Sequence, residues 1–391
     1  MALFPVSSFC QGVAQSQVIN ELIRPGACFP DEYLPPLSGR RVAVTGNQTS
    51  RLGNRLLVDT LLSLGVNIVK VFGPEHGFRG NAADGSLIGN TIDSATGIPV
   101  VSLYGQHRKP LPEDMTGIDI MVFDIQDVGC RFYTYISTLT YVMESCAQAQ
   151  IPLLILDRPN PNGYYVDGPV LKPEFSSFVG LHPVPVVYGM TLGEYAMMVN
   201  GEGWLGNGLK CDLRVIPCRG YTHESRYELP VKPSPNLPNQ KSIILYPSLC
   251  LFEGTVVSVG RGTEFPFQVI GHPGYYIGSF IFRPVSIPGI SENPPFRDQQ
   301  CLGINLVSAA ERVSGKRQLE LFWILNFYKT LNLGEAFFNA NFDKLAGNSE
   351  LREQITAGIS EEKIRESWKT DLSNFLRIRS KYLLYPDFKS R

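Results

Sequence analysis

The first half of the chain alternates apolar runs of strand length with amphipathic stretches of helical spacing. The earliest run reads RVAVT after Arg40, helical spacing follows over 54–64, and further strand-like runs lie at 66–72, 100–104, 118–125, 152–156 and 184–188. Helical spacing returns over 133–150, and Thr191 with Glu194 forms a capping box that starts another helix. Because near-continuous apolar strands alternating with helices are typical of a parallel sheet covered on both faces, the pattern predicts a doubly wound, Rossmann-like α/β domain over 30–228.

The second half begins after a proline-rich break. Segment 229–239 contains four prolines and interrupts both periodicities, which predicts an ordered loop or linker. Beyond it, strand-like runs occur at 242–246, 255–259, 276–282 and 302–307, and helical patterns at 318–331 and near the C-terminus. In the last helix Ser360 is the predicted N-cap of an apolar stripe formed by Ile364, Trp368, Leu372, Phe375 and Ile378. The pattern predicts a second, smaller α+β domain over 229–391.

Composition and charge narrow the class of protein. Of 391 residues, 43% are hydrophobic and 18% are charged, which is below the usual level of about 25% and indicates a packed globular chain. The formal net charge is −1 and no block of like charge occurs, so we expect no nucleic-acid partner. No apolar stretch reaches about 18 residues, so we expect no membrane span. The pattern leaves the oligomeric state open.

Cysteine and histidine usage predicts a site without metal or cofactor. The eight cysteines are scattered with no CxxC pair, and we expect them to be buried thiols. Of five histidines only His76 falls in a candidate loop, so no histidine-rich metal site is indicated, and an all-oxygen site is the alternative that the sequence leaves open. The opening residues 1–12 are apolar and then small, which predicts export to a periplasmic or extracellular location, with a cytoplasmic terminus as the alternative.

Polar clusters follow several of the predicted strands. The string GPEHGFRG occupies 73–80, DIQDVGCR occupies 124–131, and Asp157 ends the strand over 152–156. Because ligands of open parallel sheets bind beyond the carboxyl ends of the strands, these loops predict a cleft with acid and base groups. The loop over 46–53 matches neither GxGxxG nor GxxxxGK[ST], so a nucleotide site lacks its usual fingerprint.

Several longer strings resemble the motif set of the exo-β-N-acetylmuramidases, a family of bacterial glycosidases. The similarity extends from about Arg41 to the end of the chain and includes GPEHGFRG, QDVGCRFYTY, LDRPNPNG, YGMTLGE, PSPNLP and EGTVVSVGRGTEFPF. The resemblance implies a Rossmann-like domain without nucleotide, a C-terminal domain, and a cleft between them. It also implies release of terminal N-acetylmuramic acid from the non-reducing end of peptidoglycan fragments, which would be the partner molecules.

Glycoside hydrolysis requires a proton donor and usually a second carboxylate. Glu75 is our candidate for the general acid, since its glycine-rich loop allows close approach of a sugar and the resemblance maps the family's proposed catalytic glutamate to it. The alternative is that Glu75 caps a helix or pairs with Arg79. For the second carboxylate we expect Asp127 or Asp124, although Asp124 could instead only hydrogen-bond the end of its strand.

Substrate binding calls for groups that recognise a sugar carrying a lactyl carboxylate. Arg261 stands between two glycines and suits bidentate binding of that carboxylate, while Arg131 and Arg79 compete for the role; an internal salt bridge is the alternative for each. The remaining candidates for the sugar site are His76, Tyr133, Tyr135, Asn236, Glu253 and Glu264.

Two other functions are compatible with the sequence. The same cleft in a protein with misplaced carboxylates would make a non-catalytic muropeptide-binding protein. A Rossmann-like sheet could also belong to a nucleotide-sugar-dependent transferase. Turnover of a muramide distinguishes the hydrolase from the binding protein, and stabilisation by a nucleotide sugar would indicate the transferase.

Overall fold

A seven-stranded sheet forms the centre of the first half in the computed structural model, which describes residues 23–74, 77–79 and 90–389. Its order is β5-β6-β4-β1-β7-β8-β9. The strands are β1 (Val42–Gly46), β4 (Ile68–Gly73), β5 (Thr91–Ile92), β6 (Pro99–Ser102), β7 (Ile120–Asp124), β8 (Leu153–Leu156) and β9 (Leu213–Ile216), and a small hairpin pairs β2 (Arg51–Leu52) with β3 (Arg55–Leu56). Across the sheet, all neighbouring strands from β6 through β4, β1, β7 and β8 to β9 are parallel. The edge strand β5 pairs antiparallel with β6, so the sheet is mixed.

Helices cover both faces of this sheet. In β7 the side chains of Met121 and Phe123 enter one hydrophobic core, and those of Ile120 and Val122 enter another on the opposite face. This two-sided burial accounts for the near-continuous apolar strands and confirms the predicted α/β fold class. The helices of this half are Pro30–Leu37, Leu57–Ser63, Pro112–Met115, Tyr135–Ala149 and Leu192–Gly201.

The second half is a smaller unit whose main hydrophobic core also includes Val128, Phe132 and Tyr164 of the first half. Its antiparallel sheet has the order β10-β12-β11, formed by β10 (Val269–His272), β11 (Phe280–Phe282) and β12 (Cys301–Asn305). The helices packed around it are Gln240–Leu249, Ala310–Lys316, Phe322–Leu331, Phe342–Ala346, Glu350–Thr356 and Glu361–Arg379. This mixture of helices and a small sheet agrees with the predicted α+β character.

Three predicted strands are wrong. Segment 184–188 makes only isolated bridges, from Val187 to Cys130 and Asp167, and the unpredicted β9 completes the sheet instead. Segment 255–259 likewise makes only isolated bridges. Segment 242–246 lies in the helix Gln240–Leu249, because a short apolar run buried on all sides has no periodicity to separate helix from strand.

The chain returns to the first half at its C-terminal end. Ile364 and Trp368 of the last helix pack in the core of the second half, whereas Phe375 packs in the core of the first. Arg379 then donates to the Gly189 carbonyl at 2.7 and 2.9 Å, and the Tyr385 hydroxyl donates to Asp157 at 2.5 Å. The last helix and the segment after it therefore join the two halves a second time.

The described cysteines are free thiols. Six of the seven described cysteines are buried, Cys28 is half-buried, and none of the seven forms a disulfide, as expected for buried thiols. Within the described ranges, no helix has the length and apolarity needed to cross a membrane.

Candidate active site

A cavity of about 390 Å³ lies between the loop that follows β7 and the second half of the molecule. The first half contributes Phe132, Tyr133, Thr134, Tyr135 and Val179; the proline-rich segment contributes Ser234, Asn236 and Leu237; the second half contributes Tyr246, Cys250, Glu253, Arg261, Phe267 and Leu345. Five of the predicted site residues meet here: Tyr133, Tyr135, Asn236, Glu253 and Arg261.

The two tyrosines are held in place by their hydroxyl groups and by each other. Their rings lie edge to face with centroids 4.8 Å apart. The Tyr133 hydroxyl donates to the Pro233 carbonyl at 3.0 Å, and the Tyr135 hydroxyl accepts from Asn47 Nδ2 at 2.8 Å. The aromatic wall is therefore anchored both to the proline-rich segment and to the loop after β1.

The proline-rich segment is part of the site as well as a connection. The Gln48 side chain donates to the Pro233 carbonyl at 3.1 Å, and Asn236 Nδ2 donates to the Ile290 carbonyl at 3.3 Å. These contacts fix the segment between both halves of the molecule. The predicted ordered loop thus presents Asn236 to the cavity.

Glu253 and Arg261 form the charged wall. Arg261 Nε donates to Glu253 Oε1 at 2.5 Å, and the side chains are 24% and 29% exposed, respectively. The guanidinium also lies 5.1 Å from the centre of the Phe267 ring. Gly260 and Gly262 have φ of 79° and 78°, and a Cβ on either would lie 2.5 Å from a neighbouring atom, so this tight loop requires glycine on both sides of Arg261.

Cys250 lies beside this pair. Its thiol contacts Glu253 Oε2 at 3.6 Å, and burial raises its pKa well above the ordinary value. A neutral thiol in this position is a packing group and a weak donor, so it supplies no nucleophile.

The structure corrects the prediction for Asp124. It is fully buried and binds Arg158 through two contacts, of 2.5 Å to Nε and 2.9 Å to Nη2. Burial raises its pKa in spite of the arginine. The residue closes a buried ion pair at the end of β7 and does not line the cavity, which removes it as a second catalytic carboxylate.

Asp127 is also behind the cavity wall. One oxygen accepts from the Gly129 amide at 2.6 Å and from the Tyr188 hydroxyl, while Oδ1 is buried without a hydrogen-bond partner among the described residues. Burial raises the pKa of Asp127 to about 6. Because it is 4% exposed and does not line the cavity, the structure does not support the prediction of direct catalysis by Asp127.

Arg131 supports the site from inside the protein. It is fully buried and donates to four backbone carbonyls, those of Pro169, Val184, Leu345 and Ala346, at 2.7 to 2.9 Å. Burial lowers its pKa to about 9. The prediction that Arg131 binds the lactyl group is therefore wrong; it ties the two halves together and positions Leu345 at the cavity.

Two further predicted residues lie elsewhere. Arg79 donates to Asp93 at 2.5 and 2.7 Å and to Asp59 at 3.3 Å, which realises the internal salt bridge given as its alternative. Glu264 is exposed and does not line the cavity. Neither supports the predicted contact with sugar.

Glu75 and His76 lie outside the described residues. Around them, the Gly77 amide donates to the Pro74 carbonyl at 2.9 Å, and a Cβ on Gly73 would lie 2.9 Å from the Phe78 nitrogen. Gly73 ends β4, which pairs with β1; β1 in turn pairs with β7, whose following loop lines the cavity.

Sequence reasoning missed the apolar part of the lining. Phe132 and Phe267 occur inside the quoted strings RFYTY and TEFPF, so their signal was present. Tyr246 was hidden because its segment was predicted as a strand, and Val179 and Leu345 carry no local pattern. Among the described residues, no group of three or more histidine, cysteine or acidic side chains is arranged to hold a metal ion.

The volume and lining define the class of protein. A cavity of this size falls in the range of about 300–1,000 Å³ typical of small-molecule sites, and aromatic faces combined with convergent polar groups suit a sugar ring. The first βα loop carries no phosphate-binding fingerprint, and the lining is that of a carbohydrate-binding site on a Rossmann-like sheet.

The chain belongs to the exo-β-N-acetylmuramidase family NamZ and is a glycoside hydrolase. The N-terminal model of the family matches residues 42–241 and the C-terminal model matches residues 244–385. The peptidoglycan β-N-acetylmuramidase NamZ of Bacillus subtilis is 39% identical over 382 residues, covering 91% of this chain and 89% of that protein.

Two solved structures share the fold. A DUF1343 family protein from Bacteroides fragilis has a TM-score of 0.88 and 47% identity, and a second from the same organism has a TM-score of 0.77 and 28% identity. In both comparisons 93% of this chain and 99% of the other chain are covered.

Proposed function

We propose that this muramidase acts from the chain end and releases terminal β-linked N-acetylmuramic acid from the non-reducing end of peptidoglycan fragments. The observation that carries the proposal is the 390 Å³ cavity with Arg261 in its wall, in a member of this family. The volume suits one amino sugar, and a guanidinium suits the lactyl carboxylate that distinguishes muramic acid from glucosamine.

In the proposed site Arg261 binds the lactyl carboxylate and Glu253 orients Arg261. Glu253 is the one carboxylate among the described residues that line the cavity, and its 2.5 Å contact to Nε fixes the plane of the guanidinium. A guanidinium binds a carboxylate in a planar, bidentate geometry, which suits Arg261 to the lactyl group. The tyrosine pair and Asn236 surround the sugar.

We propose Glu75 as the general acid. Glu75 follows the last residue of β4 by two positions in the sequence, and β4 ends at the same edge of the sheet as β7, whose following loop carries Tyr133 and Tyr135. Protonation of the leaving oxygen by a positioned carboxylic acid contributes about 10²–10⁴-fold to the rate. The buried positions of Asp124 and Asp127 leave the acid role to a residue of another loop.

Turnover of a chromogenic β-N-acetylmuramide tests the proposal. Wild type is compared with Glu75→Gln, and with Glu264→Gln as a matched control that removes an exposed carboxylate away from the cavity. We expect Glu75→Gln to lower kcat by about 10²-fold or more, Glu264→Gln to resemble wild type, and the matching glucosaminide to be a poor substrate. Equal activity of Glu75→Gln and wild type would overturn the acid assignment, and preference for the glucosaminide would overturn the lactyl contact.

The direction of attack needs its own assay. An oligosaccharide with a non-reducing terminal muramic acid should release the monosaccharide as the first product. The same oligosaccharide capped at that end by N-acetylglucosamine should resist hydrolysis. Internal cleavage of the capped substrate would contradict the exo mode and leave the muramidase class intact.

A further inference from the structure

A second cavity of about 500 Å³ adjoins the first. The two share Val179, Glu253 and Leu345, so they form one continuous depression with two compartments. The second compartment is lined by Arg108, Ser177, Phe178, Val179, Glu253, Asn341, Lys344 and Leu345. Four of these residues come from loops of the first half and four from the second half.

One wall is a rigid aromatic stack topped by a cation. Ser177 and Gly180 exchange two backbone hydrogen bonds of 2.9 Å, which close a tight turn that presents Phe178 and Val179. Phe178 stacks on Tyr141 with centroids 6.0 Å apart, and the Arg108 guanidinium lies 4.5 Å from the centre of the Phe178 ring. The stack holds the charge of Arg108 at the rim of the compartment.

The opposite wall carries a second cation on a fixed helix. Lys344 lies in the helix Phe342–Ala346, whose last two carbonyls accept from the buried Arg131. The Lys172 amide also donates to the Gly347 carbonyl at 2.9 Å. Lys344 therefore extends from a helix end that is tied to the first half of the molecule.

The charges of this compartment are unbalanced. In the part of the chain that the structure describes, neither Arg108 nor Lys344 forms an ion pair, and Glu253 is engaged by Arg261. The Ser177 hydroxyl is buried and also lacks a hydrogen-bond partner among those residues. Two cations and a hydroxyl beside the apolar side chains of Phe178, Val179 and Leu345 suit an anionic ligand such as a carboxylate.

We propose that the second cavity is the subsite for the leaving chain, and that Arg108 and Lys344 bind a carboxylate carried by the next muramic acid unit of the substrate. The inference rests on the proposed function, because a substrate whose terminal sugar occupies the first cavity extends from there, and the second cavity adjoins the first at Val179, Glu253 and Leu345. The sugar that follows is neutral, so the first anionic group on the leaving chain belongs to the following muramic acid. That group is either its lactyl carboxylate or the carboxylates of a stem peptide.

Substrates of increasing length isolate this contact. They are N-acetylmuramyl-N-acetylglucosamine, the corresponding unsubstituted tetrasaccharide, and the tetrasaccharide with a stem peptide on its inner muramic acid. Arg108→Gln and Lys344→Gln are tested singly and together. Lys363→Gln is the matched control, since Lys363 is an exposed cation on the last helix that lines neither cavity.

The readout is the ratio of kcat/KM for each tetrasaccharide to that for the disaccharide. We expect each single variant to lower this ratio by about 5-fold through KM, and the double variant by more, with Lys363→Gln at the wild-type ratio. Added salt should lower the ratio in wild type and change it little in the double variant.

The substrate pattern identifies the source of the carboxylate. An effect confined to the unsubstituted tetrasaccharide assigns the lactyl group, and one confined to the peptide-bearing substrate assigns the peptide. Unchanged ratios for both tetrasaccharides in the double variant would overturn the subsite. Absence of turnover of every muramide by wild type would instead overturn the proposed function, so the two failures are distinguishable.

Discussion

The polar edge of the seven-stranded sheet and the cavity wall of the second half differ in what their charges contact. Asp124, Asp127 and Arg131 at the sheet edge are almost fully buried, and the protein itself satisfies their polar atoms except one oxygen of Asp127 and Nε of Arg131, which have no partner among the described residues. Glu253 and Arg261 in the opposite wall retain about a quarter of their surface exposed and line the cavity. The comparison shows that charge at the carboxyl ends of strands can form a scaffold that positions a site built by other elements.

The largest expected effect comes from removing Arg131. Arg131→Met removes a donor from four buried carbonyls, of which that of Val184 keeps a backbone donor, the Leu171 amide, and we expect it to lower the free energy of unfolding by about 3–5 kcal/mol in urea denaturation. Arg41→Met, which removes an exposed ion pair with Asp119, is the control and should change the unfolding midpoint little. If Arg131→Met kept the unfolding free energy of wild type but lost muramide turnover, Arg131 would instead be a substrate-binding residue.

The second prediction uses pH to separate scaffold from site. The folded-state pKa of Asp127, about 6, lies above the ordinary value of 3.8, so the unfolded state releases this proton first and wild-type stability falls as pH rises from about 4 to about 6. We expect Asp127→Asn to remove roughly 2–3 kcal/mol of this fall, measured by urea denaturation across that pH range.

Two other groups provide the controls for this titration. Asp157 has a pKa of about 6 for the same reason, so part of the slope should persist in Asp127→Asn. Asp119→Asn should keep the full wild-type slope, because Arg41 lowers the pKa of Asp119 to about 2, outside the measured range. An unchanged slope in Asp127→Asn would show that Asp127 is ionised in the folded protein.

The third prediction concerns the exposed wall. Arg261→Gln should lower kcat/KM for the β-muramide by about 10- to 100-fold, because a charged hydrogen-bond donor to the lactyl group is lost. Its unfolding free energy should change by less than about 1 kcal/mol, because the ion pair with Glu253 is partly exposed. Arg297→Gln, an exposed arginine outside the cavity, is the control. A large loss of stability in Arg261→Gln would show that the charges of this wall, like those at the sheet edge, have a structural role.

The smallest effect is expected at the junction of the two regions. Tyr133→Phe removes the 3.0 Å hydrogen bond to the Pro233 carbonyl and should cost about 0.5–1.5 kcal/mol of stability, with a modest rise in KM. Tyr276→Phe, at a tyrosine that is 75% exposed, is the control. Equal stability and KM for the two variants would show that this bond does not fix the proline-rich segment.

The fold class could be predicted because burial of both sheet faces leaves a direct trace in the strands. β9 was missed because it lies at the sheet edge and Arg214 interrupts its apolar character. The helix over 57–63 starts later than predicted because residues 51–56 form a hairpin with no periodic signal. Elements fixed by tertiary contacts rather than by their own pattern could not be found in this way.

The candidate site was predictable where glycine or aromatic residues mark a local constraint. Glycines on both sides of Arg261 and the paired tyrosines after β7 indicated two walls of the cavity. The scaffold roles were not predictable, because Arg131 binds carbonyls 214 and 215 residues further along the chain. Long-range partners of this kind decide whether a charge is buried, and no local motif records them.

The return of the chain to the first half has a mechanical consequence. The backbone connects the two halves twice. The first connection is the proline-rich segment, and the second is the last helix with the C-terminal segment that contains Leu384 and Tyr385. A hinge rotation that separated the two halves would have to break the hydrogen bonds of this C-terminal segment to Asp157 and to Glu194 at the same time. The entrance of the cavity between the two halves therefore keeps a constant width, and entry of a glycan depends on the shape of its free terminus.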